Sequence, residues 1–411
     1  MLTLYRSRAL SRPLAVLSLA AFVTVALVAA PRDAAARHRR HVAPRPESEE
    51  SAESAPGSGL NAPYTEACVI EPTTGTIIFE KDSHKPWPTA SLAKMMVMLI
   101  VAEKLHDGSL KLTDQITTSR KAEEMGGSQV YLKEGETFSL DDMMKSIAVH
   151  SANDSSVAVA EYIAGSTEAF VQIMNQRANQ LGMKDSHYYS VHGLPPAAGQ
   201  TADVSSAYDS AILARELIKY PDVLRWASID TAPFRNGTFQ LRNTNHLVRT
   251  FRGCDGLKTG FYASAGFNVV ATARRNGLRL IAVVLGSPHK LQNFNEAATM
   301  MSQGFLNYEM FTVARKGEPA PEVVAVSGGS IQSLKPVWND DVRVFLKRGQ
   351  EREPKVNYRL PPSVAAPVKT GQPLGEADIT LDGKPNATAQ LIAPQDVPKK
   401  RSLLARLFGE S

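Results

Sequence analysis

Pro88-Thr89-Ala90-Ser91-Leu92-Ala93-Lys94-Met95-Met96 sets a hydroxyl and an amine three residues apart at the start of an apolar run. On a helix that spacing stacks Ser91 and Lys94 on one face, within reach of each other. A serine is a weak nucleophile at neutral pH and must pass its proton to an adjacent base as it attacks a carbonyl. Lys94 can be that base only when neutral. The pattern Leu92, Met95, Met96, Leu99, Ile100 predicts a core-facing helix, and partial burial lowers a lysine pKa. Taken alone, Ser-x-x-Lys also describes a solvated lysine one turn from a helix-start serine.

Upstream, Ala67, Val69 and Ile70, a turn at Pro72-Thr73-Thr74-Gly75, then Ile77, Ile78 and Phe79 predict a strand hairpin. The serine helix is expected to end near His106-Asp107-Gly108, and residues 110 to 137 read as a loop region. Ser139-Leu140-Asp141-Asp142 is a capping box before Met143, Met144, Ile147 and Ala148, with the helix stopping at His150. Ser151-Ala152-Asn153 then falls at a helix-to-helix joint, where side chains can face a cleft; its plain alternative is an N-cap. Further helices are expected through Phe170 and Met174 to Leu181-Gly182, and over residues 207 to 220, closed by Pro221.

After this helical middle the chain returns to strands at Asp255-Gly256-Leu257-Lys258-Thr259-Gly260, Gly266-Phe267-Asn268-Val269-Val270-Ala271 and Leu280-Ile281-Ala282-Val283-Val284-Leu285. Asn276-Gly277 between the last two is a hairpin signal. A closing helix is expected over residues 296 to 305. Strands from both ends of the segment thus enclose a helical insertion, an α+β arrangement of an antiparallel sheet with helices on its faces. From Gly317 onward, short alternating runs such as Val342-Arg343-Val344-Phe345-Leu346 and Ala377-Asp378-Ile379-Thr380-Leu381 read as a small all-β sandwich.

Ser91-Leu92-Ala93-Lys94, Ser151-Ala152-Asn153 and Lys258-Thr259-Gly260, in that order, make the three-part set of penicillin-binding proteins and serine β-lactamases. At these separations the sequence resembles the D-alanyl-D-alanine carboxypeptidases, low-molecular-mass penicillin-binding proteins that trim bacterial peptidoglycan stems. The resemblance implies a β-lactamase/transpeptidase-like catalytic domain, an antiparallel sheet with a helical subdomain, over residues 61 to 315, and a β-sandwich over residues 316 to 396.

It also implies roles. Ser91 attacks the penultimate D-alanine carbonyl and Lys94 takes its proton. Ser151 relays a proton to the departing nitrogen, and Asn153 orients the lysine and the substrate amide. Lys258 and Thr259 offer charge and a hydroxyl to the terminal carboxylate, while Gly260 leaves the edge strand bare where substrate lies. The partners implied are peptidoglycan pentapeptide stems and β-lactam antibiotics, which mimic them and should acylate Ser91. No cofactor or metal is called for, since the sequence has no His-Glu-x-x-His or paired cysteine ligands.

Two places depart from the family pattern. Phe261-Tyr262 stands where His-Thr is usual after Lys-Thr-Gly, and an arginine usual after the third strand is replaced near Asn293. Rival readings are a D-Ala cross-link endopeptidase and a weakly active wall protein with the same fold. A β-lactamase would need a deacylating Glu-x-x-Leu-Asn where this chain has Gln200-Thr201-Ala202-Asp203.

At 411 residues with 43% hydrophobic content, the chain can bury a sizeable core, and two domains plus appendages are expected. The net charge of +5 is concentrated at the ends, which disfavours nucleic-acid binding. Arg6, Arg8 and Arg12, an apolar run over residues 13 to 30 and Ala34-Ala35-Ala36 read as an export signal, with an uncleaved anchor as the alternative. Residues 37 to 60 read as a disordered linker. Both readings of the leader put the body outside the cytoplasm, in the periplasm. The final stretch from residue 397, with Leu403, Leu404, Leu407 and Phe408 on one helical face and bases on the other, reads as a membrane-surface tail or a frayed basic end. In the fold implied, two strands separate Cys68 from Cys254, too far for a disulfide.

Overall fold

The computed structural model of the chain describes residues 63–349 and 354–400. The export segment, the whole linker and the tail beyond Lys400 lie outside the described residues. Five strands form the central sheet: β1 (Glu66–Glu71), β2 (Thr76–Lys81), β3 (Cys254–Tyr262), β4 (Gly266–Arg275) and β5 (Leu278–Ser287). Their order is β2-β1-β5-β4-β3, all neighbours antiparallel, so β3 with its Lys-Thr-Gly is an edge strand. Arg275 pairs with Leu278 across Asn276 (φ 49°) and Gly277 (φ 84°). Two left-handed residues in a two-residue loop match the twist of the flanking strands, which explains the Asn-Gly signal.

Alternation along the strands feeds two apolar layers. Cys68, Ile70, Leu257, Val270, Ile281, Val283 and Leu285 pack with the helical insertion. Ala67, Val69, Val269, Ala271, Ala282 and Val284 pack with the closing helix through Phe294, Ala297 and Met301. Both faces are therefore covered, and β5 can be apolar at nearly every position.

The insertion is built on α1 (Lys94–His106), in which every residue from Lys94 to Ala102 is buried. A helix apolar all round is a core helix. Ser91 itself lies in a short 3-10 turn, Ala90–Ala93, just ahead of α1 rather than on it. Around it stand α2 (Leu140–Lys145), α3 (Asn153–Ala164), α4 (Thr167–Gln180), α5 (Ala207–Leu217) and α6 (Pro221–Ala227). Ser139 serves as the N-cap: the Asp142 N–H donates to Ser139 Oγ at 3.1 Å, and Ser139 Oγ donates to Asp142 Oδ2 at 2.8 Å. Two local expectations are corrected. The 110–137 stretch carries a strand, Gln115–Thr117, paired with Thr137–Ser139, and a short helix, Arg120–Glu123. Pro221 opens α6 instead of only ending its predecessor, because proline suits the first helical position. A hairpin, Thr231–Phe234 with Phe239–Arg242, follows α6.

The closing helix is α7 (Gln292–Asn307), longer than expected. Beyond it the elements among the described residues are all strands. β6 (Tyr308–Ala314) pairs with β7 (Val342–Lys347), and β8 (Lys355–Arg359), β9 (Pro373–Leu381) and β10 (Lys384–Ile392) form a sheet with Val337–Trp338. β6 precedes the expected boundary at residue 316, yet its partner strand lies beyond it. The expected tail start at residue 397 also shifts: Val397 is buried and paired with Val368, and the Lys400 N–H donates to Gly328 O at 2.8 Å. Cys68 and Cys254 are both free, with β5 and β4 between their strands.

Candidate active site

The serine turn is held by close backbone approach. Ala90 has φ 48°, and a Cβ on Gly193 would fall 1.9 Å from Ala90 O. From the sheet side, a Cβ on Gly260 would fall 2.5 Å from Thr89 O and 3.0 Å from Ser91 N. The bare strand at Gly260 is thus demanded by the serine turn itself, before any substrate is considered. Asn268 on β4 reaches across, its Nδ2 donating to Pro88 O at 3.0 Å.

Lys94 Nζ donates to Ser91 Oγ at 3.0 Å, to Asn153 Oδ1 at 2.6 Å and to His192 O at 2.5 Å. It is fully buried. Burial, and next the charge of Lys258, push its pKa well below that of a free amine, against weaker upward pulls from Asp203 and Asp154. Three acceptors around a desolvated amine that favours its neutral form prepare it to take a proton. Asn153 is fixed from its other end, where Nδ2 donates to Gly126 O at 2.7 Å.

His192 was not foreseen. Only its carbonyl serves the site, and a main-chain oxygen leaves no trace in residue type. Its ring is pushed down to a pKa of about 4 by burial and then by Lys94. Its loop is tied by Asp203, which accepts from Tyr189 N at 2.6 Å, Ser190 N at 2.8 Å and Ser190 Oγ at 2.6 Å. Asp203 sits in the very stretch scanned for a deacylating glutamate, and its task is to brace this loop.

Ser151 follows a π turn, Ser146–His150, and takes the left-handed conformation, φ 63° and ψ 32°. That turn breaks the helix and swings the hydroxyl toward β3. Lys258 Nζ donates to Ser151 Oγ at 2.7 Å and to Thr259 O at 3.0 Å. Lys258 is fully buried, and burial lowers its pKa to about 7. Thr259 Oγ1 donates to Thr244 Oγ1 at 2.7 Å. All seven predicted residues therefore meet in one site.

At the two departures, Phe261 is 55% exposed and stacks on Phe267, ring centroids 4.1 Å apart. Asn293 is 2% exposed in the first turn of α7, with Oδ1 unpartnered. Among the described residues no cluster of three His, Cys, Asp or Glu side chains could hold a metal ion. A cavity of about 740 Å³ between Thr73-Thr74 and the strands around Arg343 and Asn386 contains none of the groups above. The chemistry lies along the edge of β3, and an extended chain laid on a strand edge needs no deep cavity.

A hydroxyl beside a buried amine, with a second serine hydrogen-bonded to a lysine of the edge strand, can form and resolve an ester. Together with a five-stranded sheet enclosing a helical insertion, this defines the class of active-site-serine acyl transferases. Comparison with known proteins narrows the class. Residues 51–289 match the family described as D-alanyl-D-alanine carboxypeptidase, and residues 308–399 match the penicillin-binding protein 5 C-terminal domain. D-alanyl-D-alanine carboxypeptidase DacF of Bacillus subtilis is 33% identical over 84% of this chain and 89% of its own. DacC of Escherichia coli is 32% identical over 82% of this chain and 86% of its own. The crystal structure of penicillin binding protein 5 from Haemophilus influenzae superposes with a TM-score of 0.63 at 30% identity, covering 82% of this chain and 98% of that one. Penicillin-binding protein D2 from Listeria monocytogenes, solved in an ampicillin-bound form, gives a TM-score of 0.55 at 29% identity over 61% of this chain and 100% of its own. The chain belongs to the D-alanyl-D-alanine carboxypeptidase family, and it is a serine-type D-alanyl-D-alanine carboxypeptidase.

Proposed function

We propose that the enzyme removes the terminal D-alanine of peptidoglycan stem pentapeptides through an acyl-enzyme on Ser91. The observation that carries this is the buried Lys94 amine 3.0 Å from Ser91 Oγ. Ser91 Oγ attacks the penultimate D-alanine carbonyl carbon while its proton passes to Lys94 Nζ. Backbone N–H groups at Ser91 and on β3 face the developing oxyanion. The carbon–nitrogen bond breaks as Ser151 delivers a proton to the leaving D-alanine nitrogen, drawing a replacement from Lys258. Water then attacks the ester carbonyl and gives up a proton through Ser151 to Lys258, Lys94 returns its proton to Ser91 Oγ as the ester carbon–oxygen bond breaks, and the shortened stem departs. Asn153 orients Lys94 and the substrate amide, and Thr259 donates to the terminal carboxylate.

The family resemblance also places the Lys258 charge at that carboxylate. Its hydrogen bond to Ser151 favours a share in the proton relay as well. β-Lactams, which present a strained amide beside a carboxylate, acylate the same serine and are released slowly. Release of D-alanine from a pentapeptide stem, and its loss in Ser91→Ala, tests the reading.

A D-alanyl-D-alanine endopeptidase of Pseudomonas aeruginosa is 30% identical, but over only 57% of this chain. Resemblance through the C-terminal domain favours the carboxypeptidase over a cross-link endopeptidase or a weakly active wall protein. The export-signal pattern supports action in the periplasm, and the bases and leucines beyond Lys400 support a peripheral hold on the outer face of the cytoplasmic membrane. Truncation after Lys400 keeps the strand pairing of Val397 and should release active enzyme into the soluble fraction; a full-length mature protein already soluble would refute the tether.

A further inference from the structure

Phe261 follows Gly260 on the open edge of β3, and its ring is the most exposed apolar group on that strand at 55%. It does not hang free. Phe261 is the register partner of Phe267 on β4, and the two rings stack with centroids 4.1 Å apart and planes 21° from parallel. The pair is a fixed apolar platform, since the lower ring holds the upper one in place and leaves its outer face to solvent.

The position of that platform along the substrate follows from the reading of the site given above, on which this inference rests. The terminal carboxylate lies at Lys258 and Thr259, and the scissile carbonyl at Ser91, whose N is 3.0 Å from the Cβ position of Gly260. A stem laid along β3 therefore runs from its C-terminus at Thr259 toward its N-terminus at Tyr262. Strands advance about 3.3 Å per residue, so the residue just before the two D-alanines comes opposite Phe261. Residues directly opposite on paired strands point their side chains to the same face. Lys258 and Gly260 point toward Ser151 and the serine turn; Thr259 and Phe261 point to the other face.

We propose that Phe261, seated on Phe267, is a specificity-determining residue that packs against the side chain of the stem residue preceding the D-alanine pair and selects for apolar surface there. Ring and side chain lose water together on binding, and no ordering is needed because the platform is already built. A small or purely polar side chain at that position gains nothing from it.

The test compares kcat/KM for acetyl-Leu-D-Ala-D-Ala and acetyl-Gly-D-Ala-D-Ala in the full-length enzyme, Phe261→Thr and Phe261→Tyr, with benzylpenicillin labelling run in parallel. Wild type and Phe261→Tyr should prefer the leucine peptide about tenfold, mainly through KM, and Phe261→Thr should prefer it less than about twofold. A leucine-to-glycine ratio unchanged in Phe261→Thr, with benzylpenicillin still acylating Ser91, would overturn this proposal alone. Absence of Ser91 labelling in wild type would overturn the underlying site reading, and this proposal with it.

Discussion

Lys258 Nζ lies 2.7 Å from Ser151 Oγ, so the lysine of the edge strand and the serine of the helix joint form one hydrogen-bonded unit. The two ends are placed in different ways. Ser151 is left-handed after a π turn, and Lys258 is drawn fully inside the protein. A second lysine, Lys94, lies in the same site, and burial and then the charge of the first push its pKa well below that of a free amine.

Lys258 titrates at about 7, so its charge is present below that pH and fades above it. Acylation by carboxylate-bearing β-lactams should fall on the alkaline side of this value. Lys258→Arg keeps the cation at all working pH and should abolish that limb. Lys258→Gln should cost about one to two orders of magnitude with stem peptides, as loss of a charged hydrogen bond implies. Stopped-flow acylation across pH 5 to 10 reads both. An unchanged alkaline limb in Lys258→Arg would assign it to another group.

Lys94 must be neutral to act, and its lowered pKa makes acylation rise with pH through that value. Asp203 raises the pKa of Lys94 by its charge. Asp203→Asn should therefore move the acid limb to lower pH, while weakened bracing of the His192 loop slows the maximum rate. A limb shifted the other way contradicts the assignment of Lys94 as base.

The two buried lysines also make stability pH-dependent. Folding depresses both pKa values, so between about 7 and the unfolded value near 10.4 the unfolded chain binds more protons than the native one does at Lys258. Stability then rises with pH across that window. Melting curves from pH 6 to 10 should show this rise, and Lys258→Met should flatten it.

Gly260→Ala would put a methyl 2.5 Å from Thr89 O. Backbone cannot yield there as a flexible side chain would, so the serine turn must move. The expected cost is about 1–3 kcal/mol of stability. Acylation should fall roughly a hundredfold, since displacement of a nucleophile by about 1 Å has effects of that order. Near-normal acylation by Gly260→Ala would show that the turn is not clamped by β3.

Much of this was legible in the residues. The seven residues of the site sit in three short clusters whose spacing survives on any helix or strand, and Asn276-Gly277 announced its hairpin. What escaped had other physical origins. The His192 carbonyl is main chain. The π turn hides inside an apolar pattern, Met143, Met144 and Ile147, that reads equally well as ordinary helix. β10 lacks a clean apolar alternation because its side chains are mostly part-exposed. The close approach of Gly260 to Thr89 O and Ser91 N has no signal in the strand itself, and the meeting of Ser151 with Lys258 depends on a left-handed turn at Ser151 that no local propensity signals.

The most direct measurement is the site of the covalent adduct. Full-length enzyme incubated with benzylpenicillin, quenched, digested and analysed by peptide mass spectrometry should carry the penicilloyl group on the peptide containing Ser91, and Ser91→Ala should carry none. An adduct on Ser151, or labelling that persists in Ser91→Ala, would contradict the account.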